Sequence, residues 1–136
     1  MITAVDSNVL LDVVGADPAF GPASATAMRT VIREGQLLAC EVVWAEVVGS
    51  FASARAAEHA LQLLTLEFSP LTMEAALEAG IAWRAHRQRG GGRTRVVADF
   101  LIGAHALFQA DRLLTRDRGF YRTYFSRLTI LDPTTL

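Results

Sequence analysis

The sequence of 136 residues has no lysine, a single cysteine and no long apolar run. Because Cys40 has no second cysteine to pair with, the chain cannot form an internal disulfide, which fits a reducing compartment. A membrane-spanning helix needs roughly 18 consecutive apolar residues, and no such run is present. A signal peptide begins with a basic segment, whereas the first charged residue here is Asp6. We therefore expect a cytoplasmic protein with no membrane segment.

The missing lysine excludes several classes of α/β enzyme. A P-loop protein requires the motif GxxxxGK(S/T), in which the lysine contacts phosphate. Phosphatases of the haloacid dehalogenase type and phosphate-receiver domains also depend on a lysine. The phosphatases further need a second aspartate two residues after the first, where this chain has Asn8 after Asp6. The three histidines lack the spacing of a zinc site. A metal site made of carboxylates needs none of these groups and stays open.

Charge is distributed unevenly although the net charge is only −1. Residues 1–83 carry three arginines and ten acids, which gives −7, whereas residues 84–136 carry ten arginines and four acids, which gives +6. One interpretation is a solvated surface with a compositional bias toward arginine. The other is an arginine surface for phosphate groups, because the guanidinium fork matches phosphate oxygens.

Short apolar segments alternate with amphipathic segments along the whole chain, without repeats, low-complexity tracts or linkers. Strands that are apolar on both faces indicate a mostly parallel sheet covered by helices on both sides. We therefore predict an α/β fold and one domain, residues 1–136. The predicted strands are 2–5, 36–40, 66–69, 112–115 and 128–131, and the predicted helices are 8–13, 23–33, 41–55, 56–64, 73–89, 97–110 and 119–125.

Three aspartates stand at positions that suit a ligand site. Asp6 ends the first predicted strand, and Asp117 follows the strand that ends in "RLLT". Ligands of open α/β sheets bind beyond the carboxyl ends of the strands. Asp99 lies in the first turn of the helix "RVVADFLIGAHA". Each residue alone also has a purely structural explanation, because aspartate caps helices and is favoured by the helix dipole.

Glu46 is a fourth acid, within the otherwise apolar segment "CEVVWAEVVGSF". If the helix runs over 41–55, the face of Glu46 continues through Gly49, Ser50 and Ser53, whose small side chains leave room beside the carboxylate. A buried carboxylate is costly unless it is paired or bound to a metal. An exposed Glu46 is the alternative.

Taken together, the four acids predict a shared divalent-metal site. Carboxylates gathered at strand ends repel one another, and a cation removes that conflict. Mg²⁺ and Mn²⁺ prefer oxygen ligands, and Mg²⁺ commonly binds substrate phosphate as well. Such a site holds either one ion or two ions roughly 4 Å apart.

Four segments, "VDSNVLLD", "VVWAEVVGSF", "RVVADFLIGAHA" and "RLLTRDRGFYRTYF", resemble the motifs of the PIN domain family, and within it the VapC-type toxins. The resemblance covers essentially the whole chain in order and spacing. It implies a PIN-like fold, with a central, mostly parallel sheet of four to five strands flanked by helices on both faces. The family's acidic quartet then falls on Asp6, Glu46, Asp99 and Asp117, supported by the hydroxyl of Thr115.

The resemblance further implies an endoribonuclease that uses Mg²⁺ or Mn²⁺, in one or two ions per site, to activate the water that cleaves an RNA phosphodiester bond. It implies a toxin that inhibits translation and growth until a VapB-like antitoxin neutralises it, a homodimer, and structured RNA such as tRNA or rRNA as substrate. Candidate phosphate contacts are Arg93, Arg95, Arg116 and Arg118, for which plain surface charge is an equal alternative. The competing functions are a PIN-like module that binds RNA or a partner without cleavage, and a nuclease acting on DNA.

Overall fold

The computed structural model describes residues 1–90 and 97–136 of the chain. Five strands form one sheet in the order β3-β2-β1-β4-β5, and every neighbouring pair is parallel. Seven α-helices flank the sheet in the described residues, which confirms the predicted α/β fold. The strands are β1 (Ile2–Val5), β2 (Gln36–Ala39), β3 (Leu66–Phe68), β4 (Arg112–Leu114) and β5 (Ile130–Leu131). The helices are α1 (Ser7–Val14), α2 (Gly21–Glu34), α3 (Glu41–Val48), α4 (Ala54–Leu63), α5 (Met73–Gln88), α6 (Val97–Gln109) and α7 (Arg118–Tyr124), followed by a 3₁₀ helix, Pro133–Thr135.

The central strand β1 is covered on both faces. Successive residues of a strand point to opposite faces, yet Thr3, Ala4 and Val5 are all buried. The neighbouring strand β4 is similar, because Leu113 and Leu114 are both fully buried. This pattern is typical of a parallel sheet between two helical layers. In the ranges that the structure describes, none of the helices combines the length and the apolar character needed to cross a membrane.

The chain changes direction across the sheet between β1 and β4. The first two crossovers lead from β1 to β2 and then to β3 on one side, whereas β4 and β5 lie on the other side. Val5 pairs in register with Leu114, and the backbone N–H of Asp6 donates to the carbonyl oxygen of Leu114 at 3.0 Å. Asp6 and Thr115 therefore leave adjacent strands side by side, at a topological switch point where α/β proteins bind ligands.

One predicted helix, 41–55, was too long. Helix α3 ends at Val48, and Gly49 is its C-cap; the Oγ of Ser50 then donates to the carbonyl oxygen of Val47 at 2.7 Å. Ser53 is the N-cap of α4, where its hydroxyl accepts from the N–H of Ala56 at 3.1 Å. Serine side chains bond to nearby backbone and favour helix ends over helix interiors. Ser53 therefore does not continue the face of Glu46. The other predicted boundaries differ from the observed ones by at most two residues.

Two helical glycines differ in the space around them, which gives a test of the packing of α6. A Cβ at Gly103 would lie 2.4 Å from Cε2 of the buried Phe125, whereas a Cβ at Gly80 in α5 would meet nothing within 4 Å. Overpacking costs about 1–3 kcal/mol, while Gly→Ala in a helix gains about 0.5–1 kcal/mol. We expect Gly80→Ala to raise the free energy of unfolding and Gly103→Ala to lower it, as measured by urea denaturation. Equal effects of the two substitutions would contradict the packing of Phe125 on α6.

Candidate active site

Asp6 is the most constrained acid of the site. It follows β1 directly and is the N-cap of α1, where its Oδ1 accepts from the backbone N–H of Ser7 at 2.7 Å. Its Oδ2 accepts from the hydroxyls of Thr115 at 2.8 Å and Tyr121 at 3.0 Å, with the amide of Asn8 at 3.4 Å. Only 5% of Asp6 is exposed to solvent. The position of this one carboxylate is thus determined by four parts of the chain: strand β1, helix α1, the segment after β4 and helix α7.

Burial raises the pKa of the Asp6 carboxyl from its ordinary value of 3.8 to about 6. The hydrogen bonds from Thr115, Tyr121 and Ser7 act against this rise because they favour the charged form, while the negative charge of Asp99 adds to it. Asp99, in the first turn of α6, is therefore close enough to Asp6 for the two carboxylates to repel each other. The ionised form of Asp6 is therefore destabilised at this position, and a cation beside it would offset that destabilisation.

Glu46 lies on the exposed surface of α3 and is connected to Asp6 through Ser7. The hydroxyl of Ser7 donates to Oε1 of Glu46 at 2.8 Å, while the N–H of Ser7 donates to Oδ1 of Asp6. A single residue at the start of α1 therefore joins the two carboxylates. The residue that caps α1 is Asp6, so Ser7 lies in the first turn of the helix.

Asp117 and Tyr121 complete the surroundings of Asp6. The N–H of Asp117 donates to the hydroxyl oxygen of Thr115 at 3.0 Å, and that hydroxyl in turn donates to Asp6. Burial, together with the charges of Asp6, Asp99 and Asp117, raises the pKa of the Tyr121 phenol well above its usual value, so the phenol remains a donor. Three of the four predicted acids thus act on one buried hydroxyl.

The contact between Tyr121 and Asp6 was not among the predictions from the sequence. Tyr121 is buried, but its hydroxyl end faces the acids. A signal was present in the spacing, because Tyr121 follows Asp117 by four residues and such pairs share a helix face. An aromatic residue in an apolar segment nevertheless gives no indication of where its hydroxyl points.

The donor set fits a hard divalent cation. All four predicted acids offer carboxylate oxygens, which Mg²⁺ and Mn²⁺ prefer. Across residues 1–90 and 97–136, no three histidine, cysteine, aspartate or glutamate side chains are arranged to hold a metal ion by themselves. Mg²⁺ is commonly bound through one or two carboxylates with several waters, rather than in a closed protein cage. An open arrangement centred on Asp6 is compatible with that mode of binding.

The candidate arginines have different surroundings. Arg116 forms an ion pair with Asp12, at 2.7 Å between Nε and Oδ2, and its guanidinium carbon lies 4.0 Å from the ring centre of Phe20. Arg118 is more exposed, with 47% of its side chain accessible, and its Nε lies 3.6 Å from Oδ2 of Asp132. The two other candidates, Arg93 and Arg95, lie outside the described residues.

Comparison with solved structures identifies proteins that share this fold. VapBC-1 from nontypeable Haemophilus influenzae matches with a TM-score of 0.75 and 17% identity, over 98% of this chain and 99% of the other. VapBC2 from Rickettsia felis, bound to a DNA fragment from its promoter, matches with a TM-score of 0.74 and 18% identity over 97% and 98%. FitAcB from Neisseria gonorrhoeae matches with a TM-score of 0.71 and 18% identity over 100% of both chains. At such identities the likeness shows the fold.

The molecule is thus an α/β protein with a buried aspartate, Asp6, at the carboxyl edge of a parallel sheet and a link from it through Ser7 to Glu46. The family model of the PIN domain matches residues 3–126, and the chain belongs to the PIN domain family. No curated protein matches the sequence significantly.

The buried carboxyl of Asp6 makes the stability of the metal-free protein depend on pH. Its folded-state pKa of about 6 exceeds the ordinary value of 3.8, so the folded state holds the proton more tightly and loses stability as pH rises through this window. The penalty reaches about 3 kcal/mol above pH 6. We expect Asp6→Asn to become more stable relative to the native protein as the pH rises from 4 to about 6, with little further change above that, in urea denaturation with a chelator present. Glu74→Gln, in the first turn of α5, is the control, and a difference that stays constant with pH would contradict the burial of a charged Asp6.

Proposed function

We propose that this protein is a divalent-metal-dependent endoribonuclease and the toxin of a VapBC-type toxin–antitoxin pair. The observation that carries the proposal is the buried carboxylate of Asp6 at the carboxyl end of β1, which Ser7 links to Glu46 and Thr115 links to the backbone of Asp117. Burial raises the pKa of Asp6, and the charge of Asp99 adds to that rise, so a second acid acts on the same carboxyl. Membership of the PIN domain family supports a nuclease, and the toxin–antitoxin complexes of the same fold support the biological role.

The proposed roles follow from the contacts of each side chain. Asp6, Glu46 and Asp99 would hold Mg²⁺ or Mn²⁺ directly or through water, and Asp117 would hold a second ion or orient the attacking water. When bound, one or two such ions supply positive charge for the phosphodiester and lower the pKa of a water. Thr115 fixes the orientation of Asp6, because its hydroxyl donates to Oδ2 and accepts from the N–H of Asp117.

The remaining parts of the proposal concern partners. We propose RNA as the substrate, with a structured RNA such as tRNA or rRNA as its class, and a VapB-like antitoxin as the neutralising partner. Of the two candidate arginines that the structure describes, Arg118, at the start of α7 next to Asp117, is the better placed to contact a substrate phosphate, since its side chain is the more exposed. The homodimer, the single domain over residues 1–136 and cytoplasmic residence stay predictions.

Metal-dependent cleavage is the direct test of the activity. We expect the purified protein to cleave RNA with Mg²⁺ or Mn²⁺ and not with a chelator. Asp6→Asn and Asp99→Asn should each lower the rate by roughly 10- to 100-fold or more, because loss of even a hydrogen-bond partner of a metal ligand costs about that much. The matched control is Glu74→Gln, because Glu74 also lies in the first turn of a helix but on the exposed surface of α5. It should leave the rate unchanged.

The alternatives give different results in the same assay. Binding of RNA without cleavage, across metals and structured substrates, would support a binding module and contradict the nuclease. Cleavage that survives both aspartate substitutions would show that the acids around Asp6 are not the site. Preference for single-stranded or duplex DNA over RNA would support metal-dependent cleavage but contradict RNA as the substrate.

Growth of cells that express the protein tests the toxin role. We expect expression to arrest growth, Asp99→Asn to abolish the arrest, and co-expression of a VapB-like antitoxin that binds the protein to relieve it. The measurement is culture density with protein levels checked by immunoblotting. Normal growth with a folded, active nuclease present would contradict the toxin assignment while leaving the activity intact.

A further inference from the structure

Arg116 stands between Thr115 and Asp117, both of which belong to the candidate active site. Its backbone N–H donates to Oδ1 of Asn8 at 3.3 Å. Its guanidinium donates twice to Asp12, from Nε to Oδ2 at 2.7 Å and from a terminal nitrogen to Oδ1 at 3.0 Å. One residue of the segment after β4 is therefore held both at its backbone and at the far end of its side chain.

Both anchoring side chains belong to the same face of α1. Asn8 and Asp12 are four residues apart, a spacing that places side chains one above the other on a helix. Helix α1 begins immediately after Asp6, and the amide of Asn8 also reaches Oδ2 of Asp6 at 3.4 Å. The hold on Arg116 therefore fixes the segment after β4 relative to the first acid of the site.

The ion pair is built into the fold. Asp12 is only 4% exposed, and its Oδ2 accepts a further hydrogen bond from the fully buried Ser24 of α2 at 2.9 Å. The ring of Phe20 covers one face of the Arg116 guanidinium at 4.0 Å from the ring centre. A bidentate ion pair between arginine and carboxylate has a defined geometry, which a single lysine charge cannot reproduce. The guanidinium of Arg116 is therefore bound by groups of the protein itself.

We propose that Arg116 is a positioning residue, which locks Thr115 and Asp117 in place against α1 through Asp12, and that it does not contact substrate phosphate. This inference rests on the proposed nuclease function. It replaces the expectation from the sequence that Arg116 and Arg118 play the same part. The surroundings of the two residues differ in the structure. Arg118 is half exposed, and its Nε lies 3.6 Å from one carboxylate oxygen of Asp132, which is a weaker contact than the ion pair of Arg116 with Asp12.

The kinetic test compares substitutions of the two arginines. Arg116→Gln should lower kcat by roughly 10- to 100-fold, as small misplacements of reacting groups do, with KM for RNA nearly unchanged. Arg116→Lys should fail to restore kcat, because lysine cannot form the bidentate ion pair with Asp12. Arg118→Gln should instead raise KM. A raised KM for Arg116→Gln that lysine rescues would overturn the proposal, since that is the behaviour of a phosphate contact.

Asp12→Asn tests the same link from the other side. It weakens the ion pair but leaves the charge of Arg116 in place, so a positioning role predicts a loss of kcat close to that of Arg116→Gln. The double variant should then be little worse than either single one, because both remove one interaction. Full activity of Asp12→Asn would contradict the proposal.

Two measurements do not depend on catalysis and keep the inference distinct from the proposed function. In metal-free protein, amide hydrogen exchange at Arg116 and Asp117 should be faster in Asp12→Asn and Arg116→Lys than in the native chain or Arg118→Gln. The salt dependence of RNA binding in the presence of a chelator should be unchanged in Arg116→Gln, whereas loss of a phosphate contact lowers the slope by about one. Should Arg116→Gln fail to fold, the lysine variant carries the comparison. Unchanged exchange in folded variants would sink the positioning role even if the nuclease is active.

Discussion

The buried carboxylate of Asp6 is the interaction on which the rest of the site depends. It follows the central strand directly, caps the first helix and accepts hydrogen bonds from hydroxyls more than a hundred residues away. Those bonds favour its charged form, but burial and the charge of Asp99 outweigh them, so its pKa rises to about 6. At neutral pH the fold therefore keeps a charge that its surroundings disfavour. A cation bound beside Asp6 would offset that penalty.

Helix α1 is short, yet its side chains connect the site to three other elements. Ser7 reaches Glu46 on α3, Asn8 reaches Thr115 and Arg116 after β4, and Asp12 pairs with Arg116 and Ser24. Helix α1 follows the central strand without an intervening loop, so its direction is set by the sheet. The hydrogen bonds of the polar face of α1 thus fix the neighbouring acids relative to the sheet. This explains why polar side chains occur in an otherwise apolar segment.

The fold was predictable because its signals are local. Apolar segments of four or five residues, separated by amphipathic segments, indicated a parallel sheet between helices, and the structure has that sheet. The error at α3 was also local in cause: Gly49 and Ser50 end the helix at positions where the apolar pattern continues. Periodicity reports which residues are buried, while a capping side chain decides where a helix stops. Boundaries are therefore less predictable than the elements themselves.

By itself, the sequence determined the kinds of chemical group at the strand ends and the order in which the chain delivers them. Only the tertiary structure decided which side chains bond to which, because Thr115, Arg116 and Tyr121 find their partners in α1 or beside it, far away in the chain. No periodicity distinguishes an arginine that faces solvent from one paired with a buried aspartate. Arg116 and Arg118 are alike in the sequence but differ in the structure. Arg116 forms hydrogen bonds with Asp12, whereas Arg118 lies near Asp132. Such pairings depend on the packing of α1 against the segment after β4, and packing exists only once the sheet has formed.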